Sequence, residues 1–186
     1  MQSFAVIPLR LKERTKAEVF AVFAVVASGI LLLTLAAQIR ILLPWTPVPI
    51  TGQTMGVTFI ALSFGRKLGL ATVLSYLCIG FLGFPVFASW QGGFTFGPTM
   101  GYLIGMALST AVVGTLADRG FARTHKGALL CGFIGSLFVF GCGLSVLSFY
   151  VPLSQLLTAG LLPFIPGDIM KTTIAATIVS RLGKTP

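Results

Sequence analysis

Apolar residues occupy the chain in long blocks, and nearly every charge falls between them. The blocks predict membrane spans over about residues 19–39, 55–64, 68–84, 99–117, 128–150 and 168–180. The breaks are of two kinds. Arg66–Lys67 and the run from Asp118 through Arg119, Arg123 and His125 to Lys126 are charged. The stretches Leu43–Thr54 and Ala88–Pro98 carry no charge and are rich in Pro, Gly, Thr and aromatic residues. Pro44, Pro47 and Pro49 rule out a regular helix in the first of them. Several spans fall short of the roughly twenty residues that cross a bilayer, so loops must complete their outer ends at membrane depth. Irregular backbone is tolerated there where it lines a cavity.

Composition agrees with the pattern. The 186 residues are 55% hydrophobic and only 9% charged, against about a quarter charged in a soluble domain. The expectation is an all-α integral membrane protein, a single domain over residues 1–186 with six transmembrane helices and an N-terminal cytoplasmic segment 1–16. The first apolar run is too long for the core of a cleavable signal, so it is read as a span. Cys78, Cys131 and Cys142 all lie inside apolar runs and read as small packing residues, with no disulfide framework and no metal spacing.

The net charge of +9 would suit a nucleic-acid partner, but its placement excludes one. With six alternating spans, eleven of the thirteen Lys and Arg residues fall on one side. Only Arg40 and Lys171 fall on the other. Positive residues mark the cytoplasmic side, so both termini are expected there, in a multi-pass protein of the cytoplasmic membrane.

Lys171 belongs to the stretch Pro163-Phe-Ile-Pro-Gly-Asp-Ile-Met-Lys171 at the start of the last span. Pro166 and Gly167 are expected to break the preceding structure, making Asp168 the helix N-cap and placing Lys171 at the third helical position. A cation there opposes the helix dipole. Either it closes a structural ion pair with Asp168 or it receives an anionic ligand. Ionisable residues at membrane depth favour the second.

The two uncharged loops and this turn share the outer side and are expected to enclose a pocket. Thr51, Gln53, Trp90, Gln91, Phe94 and Thr95 come from the loops, and Tyr102 from the fourth span. Aromatic walls, a few amides and one Asp–Lys pair suit a small, largely apolar organic acid. An interfacial aromatic belt is the competing account of the tryptophans. His125, the one histidine, lies in a charged connector far from these residues. There is no Ser/His/Asp set, no metal-ligand cluster and no phosphate-cradling Gly-rich motif, so neither catalysis nor ATP hydrolysis is expected. In the first span Ala17, Ala21, Ala24 and Ser28 recur on one helical face, suited either to packing inside the bundle or to docking another membrane subunit.

Four stretches together carry a family resemblance. They are Pro47-Val-Pro-Ile-Thr-Gly-Gln-Thr54, Gly80-Phe-Leu-Gly-Phe-Pro-Val-Phe-Ala88, Gly97-Pro-Thr-Met-Gly-Tyr-Leu103 and Pro166-Gly-Asp-Ile-Met-Lys171. In this order they resemble the BioY family, the biotin-binding S-components of bacterial energy-coupling-factor (ECF) transporters. The resemblance implies a six-helix S-component bundle with an extracytoplasmic biotin pocket in a bacterial inner membrane. It implies a transmembrane coupling subunit and two ABC-type ATPases as partners, and Asp168 and Lys171 as ligand-binding residues. It also implies that Ala17, Ala21, Ala24 and Ser28 form the docking strip. In the Gly-rich loop Gln91 and Thr95 stand where an Asn or Arg would be sought. S-components for other vitamins, an intramembrane enzyme and a ligand-free assembly factor are the alternatives to biotin capture. A thiamin-like cation is disfavoured by Lys171, and an enzyme by the missing nucleophile–base pair.

Overall fold

A computed structural model describes residues 16–94 and 96–182. The expected segment 1–16 therefore lies outside the described residues except for Lys16, as do Thr95 and Lys184. The described chain is nearly all helical: α1 (Lys16–Gln38), α2 (Gln53–Phe81), α3 (Met100–Asp118), α4 (His125–Leu147), α5 (Leu156–Gly160) and α6 (Ile165–Leu182). Two short strands, β1 (Arg40–Ile41) and β2 (Ile50–Thr51), form an antiparallel ribbon inside the Pro-rich loop, with Arg40 opposite Thr51 and Ile41 opposite Ile50.

Among the described residues five helical stretches are long and apolar enough to cross a membrane, rather than the expected six. The difference lies in α2. The expected spans at 55–64 and 68–84 follow one another there without an intervening loop, and by length and composition Gln53–Phe81 counts as a single stretch. It is not a straight rod. Gln53 and Tyr76 are hydrogen-bonded at 2.7 Å, although 23 residues of straight helix would hold them about 35 Å apart. The chain doubles back at Gly65, which has φ 69° and ψ −171°, into arms over 53–64 and 66–81. That conformation is essentially restricted to glycine. A Cβ there would also collide with the Asp118 carboxylate, which accepts a hydrogen bond from the Arg66 N–H at 3.1 Å. The end of α3 thus caps the second arm and fixes the turn beside Arg66, Lys67 and Arg119.

The two ends of the bundle are packed differently. Toward the Gly65 turn, Ala61, Ala128, Cys131 and Ala176 are fully buried with Leu62 and Val113, and small side chains let the helices approach closely. Toward the other end the buried cluster contains Tyr76, Tyr102, Phe164 and Leu147, and larger groups hold the helices apart. Helix α1 is attached at the edge. Gly29, Leu33, Ala36 and Ala37 form its buried face. Its remaining residues are apolar almost all round, as a helix facing lipid requires. The Gly52 N–H reaches the carbonyls of Ala36 in α1 and of Ile39 just past it, at 3.0 and 2.9 Å, which fastens the ribbon to the end of that helix.

Candidate ligand-binding site

The splayed end encloses a cavity of about 730 Å³. Its wall is assembled from the Pro-rich ribbon, the second arm of α2, the Ala88–Gly93 loop, α3, α4 and the start of α6. Its volume and mostly apolar lining fall in the range of small-molecule sites.

Asp168 and Lys171 both line it, half-buried. Their helix begins earlier than expected. α6 starts at Ile165, and the Asp168 N–H donates to Phe164 O at 2.8 Å, so Asp168 sits in the first turn and is not the N-cap. Pro166 does not break the helix, because first-turn residues need no intrahelical N–H partner. Lys171 accordingly lies a turn further in, where it opposes the dipole less. Its ammonium does not close onto Asp168. Nζ donates to Thr51 O of β2 at 2.7 Å, leaving further N–H groups for another acceptor. Ser136 of α4 faces the Asp168 carboxylate.

The other expected residues divide into two groups. Thr51, Gln53, Gln91 and Tyr102 line the same cavity. Gln53 is committed to structure: Nε2 donates to the Tyr76 hydroxyl at 2.7 Å, and Oε1 accepts from Thr51 Oγ1 at 3.0 Å. Tyr76 passes the chain on to Val86 O at 3.0 Å, so one polar relay ties the ribbon, both arms of α2 and the Gly-rich loop together. Tyr102 donates to Gly160 O at 2.8 Å and stacks on Phe164, with ring centroids 6.1 Å apart. Gly143 makes room for it, since a Cβ there would strike the Tyr102 ring. Trp90 and Phe94 are not part of the cavity lining and are 59% and 67% exposed. Phe94 packs edge-on against Phe81, which does line it.

Several lining residues escaped the sequence reading. Phe81, Phe87 and Phe164 look like ordinary core in a chain this apolar. Arg40 had a signal: it is, with Lys171, one of the two positives expected on the outer side, and it lines the cavity. Its guanidinium donates to Ser89 Oγ. The small-residue face of α1 is also placed. Ala17, Ala21, Ala24 and Ser28 are all exposed among the described residues.

The arrangement has the chemistry of a receptor for a small anion: two cations, one carboxylate and an aromatic wall. Comparison with known proteins identifies the family. The BioY family model matches residues 11–185. The biotin transporter BioY of Thermotoga maritima is 35% identical over 162 residues, covering 86% of this chain and 95% of that protein. The probable biotin transporter BioY of Pyrococcus horikoshii is also 35% identical, covering 86% and 94%. Among solved structures, the S-component for biotin from an ECF-type ABC transporter superposes with a TM-score of 0.85 at 28% identity, over 94% of this chain and 96% of that one. The extent of the match, from before α1 to beyond α6, places this chain in the BioY family.

Proposed function

We propose that this protein captures biotin at the outer face of a bacterial cytoplasmic membrane, as the substrate-binding subunit of an ECF-type importer. It performs no chemistry on the ligand. A transmembrane coupling subunit and two ABC-type ATPases supply the energy, and the exposed strip Ala17, Ala21, Ala24 and Ser28 is the surface on which the coupling subunit docks.

The observation that carries this reading is Lys171, a cation on the wall of a largely apolar cavity and already oriented by Thr51 O. Lys171 receives the valerate carboxylate of biotin. Asp168 orients that ammonium or accepts a ligand N–H, and Gln91 offers an amide to the ureido group. The ring system lies against Tyr102 and Phe164. Sidedness is supported by the charges at the two ends: Arg66, Lys67 and Arg119 gather around the Gly65 turn, whereas Arg40 and Lys171 line the cavity.

Titration calorimetry of the purified protein in detergent tests the reading. Biotin should bind stoichiometrically and displace any co-purified small acid, identified by mass spectrometry. A different vitamin released from the protein, with no heat on adding biotin, would refute it.

A further inference from the structure

One part of the cavity wall has backbone that its own residues disfavour. Ser89 has φ 66° and ψ 24°, and Trp90 has φ 56°. Two consecutive left-handed residues that both carry a Cβ do not hold that shape unaided. The turn closes on itself through Phe87 N–H donating to Gln91 O at 2.9 Å. The rest of its support comes from the last residue of α1. Gln38 Nε2 donates to Phe87 O at 3.0 Å, and Gln38 Oε1 accepts from Trp90 N–H at 3.2 Å. A second bond from Nε2, to Thr34 O at 3.1 Å, fixes the side chain to its own helix. One amide therefore grips both ends of the strained turn, donor to carbonyl and acceptor to N–H. Arg40, two residues on, holds the middle through Ser89 Oγ. Ala88, Ser89 and Gln91 line the cavity, and Gln38 does not.

We infer that Gln38 is a positioning residue for ligand retention: its amide clamps the 87–91 turn as the exposed rim of the cavity and thereby sets how fast a captured ligand leaves. The inference rests on the cavity being the biotin site. Without the clamp the two left-handed residues relax toward ordinary backbone and the rim loses its fixed shape. Release then accelerates, while the deeper contacts at Lys171 are untouched.

The experiment compares wild type with Gln38→Met, which keeps the side-chain length and loses both hydrogen-bonding groups, and Gln38→Glu, which keeps the acceptor for Trp90 N–H alone. In ligand-free protein, hydrogen exchange of the 87–91 amides should be about tenfold faster in Gln38→Met, with exchange in α2 unchanged. Dissociation of radiolabelled biotin should also be about tenfold faster, with association no slower, and Gln38→Glu should fall between. Ser89→Asn tolerates the left-handed region and keeps an oxygen for Arg40, so added to Gln38→Met it should restore slow release in part. Unchanged exchange in Gln38→Met overturns the clamp. Faster exchange with unchanged dissociation overturns its role in retention. A wild type that does not bind biotin refutes the site itself, and Gln38 then has no ligand to retain.

Discussion

Lys171 Nζ lies 2.7 Å from the main-chain oxygen of Thr51, 120 residues earlier in the chain. The last helix and the Pro-rich ribbon are thus joined through a cation on the cavity wall. An ammonium held by a neutral carbonyl is already aimed, so an incoming carboxylate would not need to order it.

Lys171→Ala should abolish the preference of the protein for biotin over biotin amide. Wild type should favour the acid by about tenfold or more, since a charge-assisted contact in a half-buried site is worth about 1.5–3 kcal/mol. Binding constants for both ligands on both proteins check this. A variant that still prefers the acid as strongly as wild type would show that Lys171 does not read the carboxylate.

The cavity geometry separates two aromatic residues of the same loop. Phe87 lines the cavity and packs edge-on against Tyr76 and Phe81, whereas Trp90 is 59% exposed. Phe87→Ala should weaken biotin binding by about 1–3 kcal/mol, and Trp90→Ala by clearly less. The reverse order would mean that Trp90 folds over the ligand once it binds.

Gly65→Ala should lower stability by about 2–4 kcal/mol, because it forces a Cβ into a glycine-only conformation and against Asp118. Thermal unfolding in detergent reads the effect. Asp118→Ala removes the obstruction together with the cap on Arg66, and alone should cost about 1 kcal/mol. A Gly65→Ala protein as stable as wild type would be incompatible with a hairpin at this residue.

Ala21→Leu and Ala24→Leu alter a face that is exposed among the described residues. Each should leave biotin affinity within about twofold while reducing recovery of the coupling subunit in co-purification, because bulk at such a strip keeps helices apart. Loss of biotin binding by the isolated variant would instead assign the strip to ligand binding.

The helices were legible because hydropathy blocks and charged breaks are strong signals in a chain with so few charges. The Asp168 turn was legible for the same reason: a carboxylate and an ammonium stand out against apolar residues. Its local geometry was not, since Pro166 looks the same in sequence whether it ends one helix or opens the next. The paired arms of α2 were anticipated as two spans, because Arg66 and Lys67 interrupt the apolar run. That Gly65 alone makes the reversal, with no loop between the arms, has no sequence signature. The aromatic walls Phe81, Phe87 and Phe164 were hidden among sixteen phenylalanines. Gln38 was hidden more completely, because its role comes from the backbone shape of residues 49 or more positions away.

The short first arm of α2 sets how much of the membrane remains to be crossed. Residues 53–64 rise about 18 Å, against a hydrocarbon thickness of about 30 Å. On the proposed sidedness, with the Gly65 turn at the inner boundary and the arm along the membrane normal, Gln53 on the cavity wall would lie about 12 Å below the outer one. A ligand bound there would have crossed more than a third of that thickness on binding energy alone. Between the cavity and the Gly65 end there then remains the closely packed Ala61–Ala128–Ala176 layer.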